Sequence, residues 1–453
     1  MKRHIGGLSQ NKNTQLNNFT TSLNLNIHPL IKIRGKIKLS YYTVLEYFIN
    51  SNTFEIEYTN ARLSQYRLFF IHEDATITIT DETCTDAIKF VVDDSLKPWK
   101  RKYCFMLLCD IALIISQKPK VKKTCDMLMK YLNKRKQANL GELFDTLYDN
   151  RPISRIFEKV KNLIIQFRKN RDFTVKKEMR IMVTANMSAG KSTLINALVG
   201  KPITRTSQEA CTKNLCFIYN KPFEDGYFHL IASPLNLDAT KDDLLNTVNE
   251  EIRSIASYFR VLGDLEVRAR VCLIDTPGVN FALDSSHKKL TRKALVEENY
   301  DKLILVLNAN LLGTDDEIKY LKYIYKNVPG EKIIFVINKL DCFKIAEDSI
   351  STSIKDVETD LRKIGFVNPV ICPFSAYFSF LLKMKQNNEK LSEDDQDVFD
   401  HYVKKFNKPE YDLSKYYNRT IDNISCNCNE FMKLSFISGL YDLENILYGG
   451  SKN

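Results

Sequence analysis

Residues 174–453 predict an α/β fold, a mostly parallel sheet flanked by helices, and residues 31–150 predict a smaller α+β domain in front of it. Three observations carry this expectation. Apolar runs of strand length recur in the second half: RIMV (180–183), VCLID (271–275), KIIFVIN (332–338) and VICPF (370–374). The first leads through a loop of small residues into a helical stretch, 192–199, with Leu194, Ile195 and Leu198 turned inward and Gly200 at its end. Between 40 and 95, FEIEY, RLFFI, ATITIT and AIKFVV read as strands broken by Asn, Asp and Glu.

The loop after RIMV comes first in the argument. The phosphate-loop pattern G-x-x-x-x-G-K-[ST] sits between a buried strand and a helix. Here the window Ala185–Ser192 fits except for Ala185 in the first position, which mainly has to be small. Gly190 lets the backbone approach phosphates. Successive N–H groups of Asn186, Ser188, Ala189, Gly190, Lys191, Ser192 and Thr193 would form a cradle at the positive end of the helix. Lys191 supplies a point charge to the β/γ-phosphates, and the Ser192 hydroxyl reaches Mg²⁺.

Three more strand ends follow. Asp275 in VCLIDTPG can hold the Mg²⁺ shell, and Gly278 can bring its N–H to a γ-phosphate. In KIIFVINKLD, Asn338 and Lys339 precede Asp341, whose carboxylate can accept from the N1–H and N2–H₂ edge of guanine, which adenine lacks. VICPFSA closes on Ser375 and Ala376, a small turn suited to the other side of the base. A first-switch threonine belongs between Lys191 and Asp275. Of Thr204, Thr206, Thr212 and Thr240, Thr212 is chosen because it directly precedes an apolar strand at 215–219. In this order, the elements resemble the five guanine-nucleotide elements of the GTPase superfamily.

Eighty-four residues separate Lys191 from Asp275, room for a strand-like piece at 227–232 and an amphipathic helix near 241–259 bearing Leu244, Leu245, Val248, Ile252 and Ile255. This enlarged first half, the Ser188-to-Ser192 loop, DTPGVNFALDSSHKKLTRKAL (275–295) and SGLYDLENIL (438–447) resemble the dynamin superfamily, and bacterial dynamin-like proteins in particular. The resemblance covers about 174–448. It implies that Ser188 orients the attacking water or holds a charge-compensating monovalent cation, and that Lys191 and Ser192 bind phosphate and Mg²⁺. It further implies that Thr212 orders onto Mg²⁺ and the γ-phosphate, that Asp275 and Gly278 form the second switch, and that Asn338, Lys339 and Asp341 read guanine. Hydrolysis of GTP and a GTP-promoted homodimer are expected on the same ground. Two departures stand out. Met187 occupies the place of a water-positioning Gln in eukaryotic dynamins, and Met is a poor partner for water. The chain stops at Asn453, which leaves no room for the long C-terminal helical stalk of membrane-remodelling dynamins.

Composition bounds the rest. The 453 residues allow two or three domains with full cores, and 44% apolar with 27% charged residues is ordinary for a globular protein. Eleven scattered cysteines without disulfide or zinc spacing point to reduced thiols in the cytoplasm, and the six histidines form no ligand pattern. The start lacks an apolar leader, and no run reaches membrane-span length, so no transmembrane segment is expected. The net charge of +11 is uneven: 97–136 hold twelve Lys or Arg against two Asp, a net of +10. KPWKRK and QKPKVKK flank the apolar stretch 103–115, which has Asp110 inside. That segment is either a core helix with solvated lysine ends, an interfacial helix on anionic lipid with Trp99 at headgroup level, placing the protein peripherally at the membrane, or a nucleic-acid face as in a ribosome- or RNA-associated GTPase. Helices are expected near 98–116 and 121–136. A connecting amphipathic helix follows at 151–173, with Ile153, Ile156, Val160, Leu163, Ile164 and Phe167 on one stripe. Residues 1–30 read as a flexible tail and 388–432 as an irregular charged insertion.

Overall fold

The apolar runs of the second half form strands covered on both faces. The computed structural model describes residues 16–33, 35–51, 56–71, 87–89, 91, 101–186, 188–204, 215–231, 235–246, 254–261, 269–277, 285–344, 349–417 and 429–449. In chain order the strands are β1 Glu178–Ala185, β2 Cys216–Asn220, β3 Phe228–Ile231, β4 Asn236–Ala239, β5 Ser254–Ser257, β6 Arg270–Asp275, β7 Lys302–Asn308, β8 Ile333–Asn338 and β9 Val370–Pro373. The chain divides into two units, Met1–Val175 with Lys221–Thr240, and Lys176–Asn220 with Lys241–Asn453.

In the second unit the strand order is β5-β2-β6-β1-β7-β8-β9. β1 pairs in parallel with β6 and β7, β7 with β8, and β8 with β9, whereas β2 runs antiparallel to β6. Every residue of β6 and β8 is buried, the continuous apolar pattern of a parallel sheet sandwiched by helices. Register places Val183 opposite Asp275, Ala185 opposite Val306, Asn308 opposite Asn338 and Ile337 opposite Pro373. The carboxyl ends of these strands therefore finish along one edge, where open α/β sheets bind ligands. Behind that edge, helix Lys191–Val199 packs on helix Ala376–Gln386. The fully buried Lys383 of the latter donates to the Leu198 carbonyl (2.8 Å) and is ion-paired with Glu444 of helix Leu440–Tyr448, also fully buried. Burial pulls the Lys383 pKa below its usual value, and the Glu444 charge opposes that shift.

The first unit gathers helices Gly35–Asn50, Ile56–Ile71, Arg101–Ile115, Lys118–Met129, Lys134–Tyr148 and Lys161–Thr174, with the antiparallel pair β3–β4. Helix Arg101–Ile115 runs through its core, with Leu107, Leu108, Ile111 and Ile114 fully buried. Asp110 is tolerated there because three groups reach its carboxylate: the hydroxyls of Tyr41 and Tyr66, and His28 Nε2 (3.1 Å). His28 Nδ1 accepts from the Leu30 N–H (3.1 Å), which leaves the ring proton on Nε2. Of the alternatives for 97–136, the core-helix reading describes 103–115, whereas 97–100, with Trp99, lie outside the described residues. Among the described residues of this segment, the exposed basic side chains are those of Lys118, Lys122, Lys123, Lys130, Lys134 and Arg135.

Several expectations are corrected. RLFFI and the end of FEIEY lie in helix Ile56–Ile71, and Ala87–Lys89 is helical too; ATITIT lies outside the described residues. Aromatic and branched residues suggested strands, yet burial recurs at Thr59, Arg62, Tyr66 and Phe70, a helical interval. The strands of this unit come from 221–240 instead. On the connecting helix, Ile156 leaves the stripe and is 49% exposed, because Arg155–Val160 is a 3₁₀ segment with three residues per turn. Of the helix expected near 241–259, Lys241–Asn246 is helical, 247–253 lie outside the described residues, and Ile255 lies in β5, paired in parallel with β2. Within 388–432, Glu393–Phe406 is a regular helix. Its charges are ordered by the helix dipole, with Glu393, Asp394 and Asp395 in the first turn and Lys404 and Lys405 in the last.

One carboxylate near the edge gives a pH prediction. Glu317 is 6% exposed and accepts from the Gly313 N–H (2.9 Å). Burial raises its pKa to about 7, the Gly313 N–H works against the rise and Asp360 adds to it. Because the folded pKa lies above the unfolded value, the folded state holds the proton more tightly. Its contribution is intact below about pH 4.5 and becomes a cost as pH rises toward 7. Glu317→Gln is expected to raise stability at pH 8 by up to about 3 kcal/mol, with little gain at pH 4. Denaturant melts at the two pH values check this, and an equal gain at both refutes it.

Candidate functional site

β1 delivers the chain to the edge, and the loop that follows folds back into helix Lys191–Val199. Gly190 makes the reversal in a left-handed conformation (φ 87°), and a Cβ there would collide with Asn338 Nδ2. Gly200 (φ 77°) closes the helix. Ser188 also takes positive φ (58°), which non-glycine residues seldom do, and its carbonyl accepts from Asn308 Nδ2 (3.3 Å). The next turn is held by Asn338, whose Nδ2 donates to the Ala189 carbonyl (2.8 Å) and whose Oδ1 accepts from the Ala376 N–H (3.0 Å). Asn338 thus joins the phosphate loop, the end of β8 and the turn after β9 through one amide.

Charge converges at the same edge. Lys191 is ion-paired with Asp275, the last residue of β6, and the two side chains are 9% and 1% exposed. The second oxygen of Asp275, Oδ2, is buried and meets no hydrogen-bond partner among the described residues; neither does Asn186 Oδ1. A buried carboxylate oxygen without a donor is costly, and a hydrogen-bond donor or a cation such as Mg²⁺ would satisfy it. Ser192 and Thr193 are partly exposed at the first turn of the helix.

The base-reading candidates lie one strand over. Lys339 adopts positive φ (67°) and opens the short turn Leu340–Cys342. Asp341, 8% exposed, accepts from Ser375 Oγ at Oδ1 (2.9 Å) and from Tyr402 OH at Oδ2 (2.9 Å). The Ser375 N–H donates to the Ser438 carbonyl (3.2 Å), which anchors the turn after β9.

The structure thus brings together Asn186, Ser188, Ala189, Gly190, Lys191, Ser192, Thr193 and Asp275, and beside them Asn338, Lys339, Asp341, Ser375 and Ala376. Thr212, Gly278 and Met187 lie outside the described residues. Among the alternatives to Thr212, Thr204 is committed elsewhere, its hydroxyl bonding the Ser192 carbonyl and Asn196 Oδ1 (3.0 Å each). Sequence reasoning did not single out Asn308 or Tyr402. Asn308 had a signal, a polar residue ending an apolar run; Tyr402 had none.

Residues 181–340 match the model of the Dynamin family. The chain is 26% identical over 243 residues to "Dynamin-like protein A" of Bacillus subtilis (strain 168), covering 53% of this chain and 19% of that one. It is 28% identical over 240 residues to the "Uncharacterized protein in xynA 3'region" of Caldicellulosiruptor sp. (strain Rt8B.4), covering 51% and 57%. It is 22% identical over 272 residues to "Probable transmembrane GTPase FZO-like, chloroplastic" of Arabidopsis thaliana, covering 59% and 26%. The chain therefore spans between a fifth and just over half of these relatives. The phosphate loop, the Asp275 strand end, Asn338 and Lys339 all lie inside the segment 181–340 that matches the Dynamin family model, and Asp341 directly follows it.

Proposed function

We propose that this chain hydrolyses GTP to GDP and phosphate in a Mg²⁺-dependent reaction that is stimulated when two copies meet. The observation that carries the reading is the Lys191–Asp275 pair at the mouth of the Gly190 loop, with Asp275 Oδ2 left without a partner among the described residues. Lys191 would exchange Asp275 for the β/γ-phosphates, and the loop N–H groups would take the remaining phosphate charge. Mg²⁺ would be held by the Ser192 hydroxyl and the Asp275 carboxylate, with Thr212 joining them, and supplies charge neutralisation to the triphosphate. Gly278 would sense the γ-phosphate. Asn338 would keep the phosphate loop and the base turn in register, and Asp341 would select guanine.

Ser188, exposed at the rim, is placed to help orient the attacking water or to hold a monovalent cation. Catalysis of phosphoryl transfer is mostly positioning and electrostatics, so a second copy facing the nucleotide can complete what Met187 does not offer. Stimulation by self-association is supported by the dynamin-family match. No helix of the described residues is long and apolar enough to cross a membrane. Phosphate release measured across protein concentration, with and without Mg²⁺ and with and without anionic liposomes, tests the reading. Specific activity is expected to rise with concentration and to vanish on chelation. Tight GTP binding without turnover at any concentration would instead mean a nucleotide-gated binding module.

A further inference from the structure

Helix Glu393–Phe406, in the segment that sequence analysis left irregular, reaches the base site with two side chains. Tyr402 OH donates to Asp341 Oδ2 (2.9 Å), and Lys405 Nζ donates to the carbonyls of Asp341 (2.7 Å) and Phe343 (2.9 Å). Tyr411, just beyond the helix, donates to the same Phe343 carbonyl (2.8 Å). The helix is seated by aromatic packing on the fully buried Phe378: Phe406 stacks on it at 5.0 Å, and Tyr402 meets it edge-on at 5.7 Å. Phe378 lies in the helix that begins at Ala376, so this packing ties Tyr402 to the turn carrying Ser375.

Each carboxylate oxygen has two acceptor sites. Ser375 uses one on Oδ1 and Tyr402 one on Oδ2, while the Cys342 thiol adds only a weak contact to Oδ2 (3.7 Å) that an N–H group displaces. A donor on each oxygen fixes the carboxylate plane and leaves one strong acceptor site per oxygen. That is the number guanine needs for N1–H and N2–H₂. Resting on the proposed reading of Asp341, we infer that Tyr402 is a positioning residue for guanine selection, holding the Asp341 carboxylate in the orientation that accepts both base donors. The phenol keeps its proton for this task, since burial and the Asp341 charge push its pKa well above the usual value.

The test is calorimetric binding of GDP and of IDP, which lacks the 2-amino group, to the full chain with Mg²⁺, for the wild type and Tyr402→Phe. Phenylalanine keeps the ring against Phe378, and a thermal melt verifies folding. GDP affinity is expected to fall about 5-fold and IDP affinity less, so the preference for GDP over IDP narrows. Equal losses for both ligands, or no loss, overturn the inference. Asp341→Asn, measured in parallel, separates the two failures: if it weakens GDP while Tyr402→Phe leaves the preference untouched, only the role of Tyr402 falls. If Asp341→Asn also leaves GDP binding unchanged, the base-site reading and the inference fall together.

Discussion

Lys191→Ala is expected to weaken binding of GTP with Mg²⁺ by at least about 100-fold and to remove turnover. The ammonium is held at the mouth of the Gly190 loop by its pair with Asp275. The same substitution has a second effect in the nucleotide-free protein. Asp275 is 1% exposed and one of its oxygens has no donor among the described residues, so removing Lys191 takes away the cation that compensates this buried carboxylate. Breaking a buried pair in this way costs about 3 kcal/mol. The free variant should therefore melt at a lower temperature than the wild type. A nucleotide at 100 times the wild-type Kd stabilises the wild type by about 2.7 kcal/mol and should stabilise the variant by no more than about 0.4 kcal/mol. Thermal melts with and without GDP and Mg²⁺ read both effects at once. A variant that melts lower but is stabilised by nucleotide as much as the wild type would remove Lys191 from the phosphate site while leaving its structural pairing intact.

Asp341→Asn is expected to lower GTP affinity by about 100-fold and to raise affinity for xanthosine triphosphate. An amide offers one acceptor and one donor where the carboxylate offers acceptors only, and xanthine carries an oxygen where guanine carries the 2-amino group. The surroundings can adapt to the change. Ser375 and Tyr402 both donate to Asp341, and hydroxyls can turn to accept from the new Nδ2. The loss should therefore appear as altered base preference and not as unfolding. Competition between GTP and xanthosine triphosphate for the variant measures it, and retained preference for GTP would take Asp341 out of the base site.

The nucleotide elements of the second unit were legible because each is local in sequence and lies at a strand end. An apolar run followed by a small or charged residue at fixed spacing is enough to place Lys191, Asp275, Asn338 and Asp341, and register then aligns the strand ends without further information. The first unit was legible only in part. The Ile56–Ile71 helix carries the aromatic and branched residues of a strand, and only the burial interval of Thr59, Arg62, Tyr66 and Phe70 reveals its period. What holds Asp110 inside its apolar run was not legible, because its donors, His28, Tyr41 and Tyr66, come from distant segments. Tyr402 was invisible for the same reason: sixty-one residues separate it from Asp341, and nothing near it in sequence marks the pairing.

The Lys383–Glu444 pair, sealed from water beneath the Leu198 carbonyl, bears on how this unit comes apart. Freeing helix Leu440–Tyr448 alone would strand an ammonium in the interior, so local opening there has to recruit helix Ala376–Gln386 and the tail of helix Lys191–Val199. These segments form one cooperative block, whose amide protons should exchange with solvent at a common rate. Occupancy at Gly190 would then slow exchange as far away as Leu447, with no ligand contact there.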